Sequence, residues 1–296
     1  MLTPPAGSGI KKRMALVSHQ HGFIYLKTEK TGGTSVEMAL QTLCTPPGTK
    51  VTHRGPALVS RTGVVGARGA RHTAGQRFGW TSHMPAWKLA LRLGPRRWSR
   101  YVKVASLRNP FDKAVSWYWY MAQKQGLDTR DPVASFRAFL RDKEEAGYFR
   151  SRIDIDWRVT HIANRPVIDE YLRLEQIETD LAALYARLGI DGPVPVLPRA
   201  KTQSRKADAL PVQAYFDRDT TDLLHRNWGW IFDAGGYSRD PADAGRASKA
   251  ANRQAGARDT AVPVQSPRTT GETGATSARQ GGRVAGVNRL PTRRAV

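Results

Sequence analysis

The sequence predicts an α/β protein built around a parallel sheet with helices packed against it. Short apolar runs typical of buried strands alternate with segments of helical periodicity between residues 21 and 237. In two places a predicted strand passes through a short polar loop into a predicted helix. Strands that alternate with helices along a chain pair in parallel, because each helix carries the chain back across the sheet.

The first of these β-loop-α units has a strand at 23–26 (FIYL) and a helix from Ser35 to Leu43. The second has a strand at 101–107 (YVKVASL) and a helix that opens at Asn109-Pro110 and continues to about Lys124. Proline favours the first turn of a helix, where its missing N–H is not needed. Between the two units, residues 46–77 are rich in glycine and lack aliphatic periodicity, which predicts a long loop region.

Four later segments continue the mixed pattern and complete the predicted domain, namely 136–140, 159–162, 167–174 and 179–188, with Gly189 as a helix stop. Residues 1–20 are predicted to form a flexible leader. Residues 238–296 contain no aromatic residue, few large aliphatic residues and a net charge of +7, which is typical of a disordered basic tail. The predicted α/β domain therefore covers residues 21–237.

Composition points to an anionic partner in a reducing compartment. The net charge is +22, and 34 of the 47 basic residues are arginine, which grips phosphate and sulfate in a bidentate manner. Nucleic acid, an anionic membrane surface, an acidic glycan and a phosphorylated nucleotide all satisfy that charge. A single cysteine, Cys44, excludes an internal disulfide and a zinc site of several thiolates.

No apolar run approaches the roughly 18 to 20 residues of a membrane span, and the N-terminus lacks the apolar centre of a signal peptide. We therefore expect a cytoplasmic protein without a transmembrane segment, with peripheral membrane contact left open.

A candidate phosphate-binding loop lies between the first strand and the first helix. It consists of Lys30, Thr31, Gly32, Gly33, Thr34 and Ser35. Glycines let a ligand approach the backbone, the hydroxyls add donors, and the N-terminus of the helix favours an anion. The loop is not a Walker A motif, because its lysine precedes the glycines. The alternative is an ordinary helix start, in which Thr34 and Glu37 form a capping box.

A second candidate phosphate site follows the second predicted strand. Arg108 leaves the carboxyl end of that strand, and Ser116 lies about two turns into the next helix. The carboxyl ends of parallel strands form the crevice where open α/β sheets bind ligands. The alternative is that Arg108 is a surface cation and Ser116 a solvent-facing helix residue.

These two motifs, in this order, resemble those of sulfotransferases that use 3′-phosphoadenosine 5′-phosphosulfate (PAPS), of the carbohydrate-type and bacterial branches. The resemblance implies a P-loop-like parallel sheet flanked by helices. It also implies that residues 30–35 hold the 5′-phosphosulfate, that Arg108 and Ser116 hold the 3′-phosphate, and that Lys30 neutralises the leaving phosphate. The product would be adenosine 3′,5′-bisphosphate (PAP), and no metal is required.

Two further segments carry weaker likenesses, namely Arg173, Glu175 and Asp180 in an Arg-x-Glu-x-x-x-x-Asp arrangement, and the closing stretch from Trp230 to Tyr237. Glu29 departs from the proline that many members have before the lysine. The Gly-x-x-Gly-x-x-Lys ending of the cytosolic small-molecule enzymes is also absent, so Lys201, Ser204 and Arg205 in the loop 199–206 are candidates for covering the nucleotide.

Transfer to an alcohol needs a base that takes the proton of the acceptor, and histidine titrates near neutral pH. In the family this histidine often lies between the two nucleotide motifs, which leaves His53, His72 and His83. We favour His83, because it stands among apolar neighbours such as Trp80 and Trp87, whereas His72 lies in an arginine-rich stretch. A carboxylate such as Glu37 is the other option.

Two other functions compete with this interpretation. A P-loop-like nucleotide kinase would share the loop, but no aspartate follows an apolar strand as a magnesium ligand. A nucleic-acid-binding protein would use the charge and the aromatic run 117–120, but consecutive residues on a helix point in different directions, and no known nucleic-acid-binding motif is present. We therefore expect a small-molecule or glycan acceptor, possibly anionic, and no specific nucleic acid.

Overall fold

A six-stranded mixed sheet forms the centre of the computed structural model, which describes residues 15–69, 72, 79–80, 83–197 and 210–245. In spatial order its strands are β3 (Leu58–Val59), β4 (Gly63–Val65), β1 (Ala15–Ser18), β2 (Phe23–Leu26), β5 (Val102–Leu107) and β8 (Glu170–Arg173). A separate antiparallel ribbon pairs β6 (His161–Ile162) with β7 (Arg165–Pro166).

The described helices are interspersed among these strands. They are α1 (Gly33–Gln41), α2 (Ala86–Arg100), α3 (Pro110–Gln125), α4 (Pro132–Glu145), α5 (Ile155–Thr160), α6 (Ile177–Arg187) and α7 (Arg218–Gly235), with short 3₁₀ turns at Thr42–Cys44, Leu174–Gln176, Val212–Tyr215 and Pro241–Asp243. Asn109 caps α3 by accepting a hydrogen bond from the Phe111 N–H (3.0 Å). The prediction of an α/β fold with flanking helices is confirmed.

Half of the sheet is parallel and positions the candidate site. Strand β2 pairs in parallel with β5, and β5 pairs in parallel with β8. The carboxyl ends of all three strands therefore lie at one edge of the sheet. The loop after Leu26, Arg108 after Leu107, and Leu174 after Arg173 all emerge at this edge, where open α/β sheets bind ligands.

The other half of the sheet is antiparallel, so the predicted parallel strands form the central part of a mixed sheet. Strand β1 pairs antiparallel with β2 and β4, and β4 pairs antiparallel with β3. Strand β1 falls within the predicted leader 1–20, while β3 and β4 fall within the predicted loop region 46–77. Strands of two to four residues are too short to show periodicity, so pairing and burial stabilise them instead.

The sheet is buried on both faces, as expected for strands covered by helices. Alternate side chains point to opposite sides. Phe23 and Tyr25 pack with residues of α1 and α6, whereas Ile24 and Leu26 pack with residues of α2. A third core, mostly aromatic, joins α3, α4 and α7.

The folded part of the chain continues past the predicted boundary at residue 237. His225 Nε2 donates to the Arg239 carbonyl (2.9 Å), Arg239 forms an ion pair with Asp233 (2.8 Å), and Ala244 packs against the aromatic core. Polar contacts hold residues 238–245 in place. The low apolar content of this segment therefore did not predict that it is folded. The rest of the predicted tail, residues 246–296, lies outside the described residues.

Candidate active site

The loop between β2 and α1 presents the N-terminus of a helix at the ligand-binding edge of the sheet. Helix α1 begins at Gly33, and the N–H groups of a first helical turn point outward along the axis. Together with the helix dipole they favour an anion. Lys30, with φ of 60°, and Gly32, with φ of 67°, both adopt the left-handed backbone conformation that turns the loop into the helix.

Glycine is required at position 32 for two reasons. Its positive φ is costly for residues that carry a Cβ atom. A Cβ atom added at Gly32 would also lie only 2.6 Å from Cδ1 of Leu174, which follows β8. The phosphate loop is therefore fitted closely against the end of the neighbouring parallel strand.

Two buried threonines brace the loop from inside. Thr28 Oγ1 donates to the Ser106 carbonyl on β5 (2.6 Å) and also contacts Thr31 Oγ1 (2.8 Å). Since the Thr28 proton goes to Ser106, the Thr31 hydroxyl is the donor in the second bond. Both side chains are about 1% exposed. The Thr31 hydroxyl is therefore engaged inside the protein.

The capping box predicted from Thr34 and Glu37 does not form. The N-cap of α1 is Gly32, and Glu37 is buried in an ion pair with Lys27 (2.8 Å). Lys27 Nζ also donates to Thr34 Oγ1 (3.2 Å). Lys27 was missed from the sequence; its one signal is that it directly follows a buried strand. Because Lys27 engages the carboxylate, Glu37 is poorly placed to act as a base.

The second predicted phosphate site is joined to the loop through Arg108. Its Nε and Nη2 atoms contact Asp112 Oδ2 (2.6 and 2.5 Å), and its Nη1 atom donates to the Lys30 carbonyl (3.2 Å). Residues four apart on a helix share a face, so Ser116 lies between Asp112 and Tyr120. The Lys30 ammonium lies 4.4 Å from the centroid of the Tyr120 ring. The structure therefore brings Lys30, Arg108 and the face of Ser116 together.

His83 is anchored beside the same loop. Its Nδ1 atom donates to the Lys27 carbonyl (2.7 Å), so in the neutral ring the proton lies on Nδ1 and Nε2 is the basic nitrogen. His83 is half-buried, whereas His53 is exposed. His72 is half-buried too, but residues 70–71 and 73–78 on either side of it lie outside the described residues. Of the three predicted histidines, the structure places His83 against Lys27, between β2 and the phosphate loop.

Comparison with known proteins matches this arrangement to a family. The sequence profile of the Sulfotransferase family matches residues 13–230, most of the described structure. The chain belongs to the sulfotransferase family. Searches of curated proteins and of solved structures found no match.

In this sulfotransferase, a residue of the weaker motif contacts the segment that carries the second candidate phosphate site. Glu175 accepts hydrogen bonds from the Asn109 N–H (2.7 Å) and from the Tyr237 hydroxyl (2.9 Å), and burial raises the pKa of its carboxyl. Arg173 and Asp180 form a buried bidentate pair at the end of β8. Glu175 therefore positions Asn109, the cap of α3, at the start of the helix that carries Ser116.

A small cleft opens next to Lys30 of the sulfotransferase. Its aromatic lining consists of Trp117, Tyr148, Phe149 and Trp228. At its floor Lys113 forms a buried ion pair with Asp156, whose Oδ1 accepts the Glu29 N–H (2.7 Å). These lining residues were missed because they come from four separate segments.

A further carboxylate, Asp154, lines the same cleft and caps α5. Burial, and then the neighbouring Asp156 carboxylate, raise the pKa of Asp154 to about 6. The predicted covering residues Lys201, Ser204 and Arg205 lie outside the described residues. Among the residues that the structure does describe, no group of three His, Cys, Asp or Glu side chains is arranged to hold a metal ion.

Proposed function

We propose that this sulfotransferase moves a sulfuryl group from PAPS to a hydroxyl or an amine of a carbohydrate or another small acceptor. The observation that carries the proposal is the hydrogen bond from Arg108 to the Lys30 carbonyl (3.2 Å). It unites two anion-binding elements at the edge of the sheet, and PAPS carries two separate groups of negative charge. A nucleotide with only one group of negative charge would contact only one of these two elements.

In the proposed complex, residues 30–35 hold the 5′-phosphosulfate. Gly32 and Gly33 allow backbone approach, and Lys30, Thr34 and Ser35 add side-chain donors. Arg108 and Ser116 hold the 3′-phosphate. The Arg108 guanidinium has five N–H donors, so it can bind a phosphate while it keeps its bonds to Asp112 and to the loop.

The proposed transfer is a single in-line displacement. A lone pair of the acceptor oxygen forms a bond to sulfur while the bond from sulfur to the bridging phosphate oxygen breaks. The acceptor proton goes to Nε2 of His83, which the bond from Nδ1 to Lys27 leaves able to accept it. Lys30 stabilises the negative charge that grows on the departing phosphate, and PAP leaves.

The cleft beside Lys30 supports a small organic acceptor. Aromatic walls with a few convergent polar groups are typical of ligand sites, and the walls here include Trp117 and Trp228. A carbohydrate has apolar ring faces for such walls and hydroxyls for Asp154. The basic charge of the chain also suits an anionic acceptor. We place the reaction in the cytoplasm, because a chain with a single cysteine fits a reducing compartment.

The test is incubation of the full chain with radiolabelled PAPS and a panel of glycans, lipids and phenols, followed by measurement of label in each acceptor. Transfer to any member of the panel supports the proposal, and the preferred member gives the acceptor class. A parallel incubation with labelled ATP and the same panel tests the kinase alternative. Phosphoryl transfer without sulfuryl transfer would overturn the proposal.

A further inference from the structure

Helix α2 presents an exposed face that is both apolar and basic. Its buried side consists of Ala86, Leu89 and Leu93, which pack into the core under the sheet. We call the opposite side the α2 face, which consists of Trp87, Lys88, Leu91 and Arg92, all exposed. Trp87 is 46% exposed and Leu91 74% exposed. Trp87 and Leu91 are four residues apart, as are Lys88 and Arg92, so two apolar and two basic side chains share this side of the helix.

All the charged residues of helix α2 are basic. Residues 86–100 (AWKLALRLGPRRWSR) contain five basic residues and no acidic residue. The backbone leaves the helical conformation at Gly94, and three further arginines follow the α2 face in the second half, at positions 96, 97 and 100. The Lys88 ammonium lies 5.3 Å from the centroid of the Trp87 ring, so cation and aromatic ring are adjacent on this surface.

This combination fits one class of partner better than the others. A nucleic acid or a sulfated glycan would pair with the cations and could stack on Trp87, but it would gain nothing from the aliphatic Leu91. An anionic lipid surface attracts lysine and arginine electrostatically and also takes tryptophan and leucine into its headgroup region. All four side chains of the α2 face then have a partner.

We propose that the α2 face docks on a membrane surface that contains anionic lipids. The inference is independent of the proposed function, since none of the four side chains belongs to the sulfotransferase site. In the described part of the chain no helix is long and apolar enough to cross a bilayer. The contact is therefore that of an amphipathic helix segment lying in the interface.

The test is sedimentation of the full chain with vesicles of phosphatidylcholine alone, or of phosphatidylcholine mixed with phosphatidylserine. The wild type should bind the mixed vesicles more tightly. Each cation near an anionic surface contributes about fivefold in affinity, so Lys88→Gln with Arg92→Gln should weaken binding by about 25-fold. The matched control is Arg130→Gln with Arg218→Gln, which removes the same charge from side chains that are 92% and 95% exposed elsewhere.

Leu91→Ser separates a membrane from other polyanions. It should weaken vesicle binding by about tenfold, because less apolar surface enters the interface, while Val59→Ser, at a site 63% exposed, should not. The midpoint of thermal unfolding should be unchanged in every variant, which confirms that they fold. The proposal would be overturned if the double variant at Arg130 and Arg218 lost as much vesicle binding as the double variant at Lys88 and Arg92. Full vesicle binding by Leu91→Ser would also overturn it. Loss of heparin or RNA binding in Leu91→Ser as large as its loss of vesicle binding would also contradict it.

Discussion

The guanidinium of Arg108 donates a hydrogen bond to the backbone carbonyl of Lys30, 3.2 Å away. Lys30 has a left-handed backbone conformation (φ of 60°), which residues with a Cβ atom rarely adopt. The bond therefore helps to hold the phosphate loop in a strained shape and connects it to α3. Any loss of Arg108 should disturb both anion sites, so Ser116 and Lys30 are the cleaner positions for separating their roles.

Ser116→Ala should weaken binding of PAP by about tenfold and leave binding of adenosine 5′-phosphate unchanged, because a hydrogen bond to a charged phosphate is lost. Isothermal calorimetry with both nucleotides measures this. Ser99→Ala, an exposed serine on α2, is the control and should bind both nucleotides like the wild type. Equal affinity of the wild-type protein for the two nucleotides would remove the 3′-phosphate role from Arg108 and Ser116.

Lys30→Ala and His83→Ala should differ in how they damage the reaction. Each should lower turnover by about 10² to 10⁴-fold. Lys30→Ala should also weaken PAP binding, whereas His83→Ala should leave it nearly unchanged, because a base touches the acceptor.

This distinction is tested by measuring turnover and PAP affinity for both variants. His53→Ala, at an exposed histidine, is the control. If His72→Ala is inactive and His83→Ala is active, the base is His72.

Lys27→Met should destabilise the fold by about 3 kcal/mol, because it removes the ammonium that pairs with the Glu37 carboxylate, which is 1% exposed. The double variant Lys27→Met with Glu37→Gln should recover part of that loss. Urea unfolding measures both. The control is Arg130→Met, which removes the cation of the exposed pair with Asp128 and should cost less than about 1 kcal/mol. No recovery in the double variant would mean that the ion pair is not the cause.

Gly32→Ala and Gly48→Ala separate backbone strain from ligand binding. Both glycines have positive φ, 67° and 76°, so each substitution should cost about 1 kcal/mol in the free energy of unfolding. An added Cβ atom has open space at Gly48 but meets Leu174 at Gly32, within the phosphate loop. Only Gly32→Ala should therefore weaken PAP binding. A comparable loss of affinity in Gly48→Ala would contradict the assignment of the loop.

Asp154 should make the stability of the protein depend on pH between about 4 and 6. Its pKa is raised from 3.8 to about 6 by burial and by Asp156, so the folded state binds the proton more tightly than the unfolded state. Stability from this group is therefore present at low pH and is lost as the pH rises through 6. Between pH 4 and pH 7, the free energy of unfolding of Asp154→Asn should rise by about 1 kcal/mol relative to that of the wild type. Urea unfolding measures this difference.

Three N–H groups that donate to the Asp154 carboxylate, from Asp156, Trp157 and Trp228, favour its charged form and limit this effect. The nearby Lys113 ammonium acts in the same direction. A gain of stability by the wild type relative to Asp154→Asn as the pH rises would show that the carboxylate is stabilised in its charged form.

Local patterns were sufficient to predict the elements that carry the site. The strand predicted at 23–26 is β2, the helix predicted at 110–124 is α3, and the helix predicted at 35–43 is found at 33–41. The order Lys30 to Ser35 followed by Arg108 also indicated the family before any geometry was known. These elements and motifs are determined by residues that are neighbours in the sequence, so the sequence alone is enough to predict them.

The sequence by itself therefore determined the βα units and the sulfotransferase family. Only the tertiary structure decided that β1, β3 and β4 complete the sheet, because strands this short are stabilised by partners elsewhere in the chain. It also decided that Glu37 pairs with Lys27 rather than capping α1, and that Glu175 links Asn109 to Tyr237. The bonds of Glu175 span more than 60 residues of sequence, and such pairings arise from which buried groups meet when the sheet assembles.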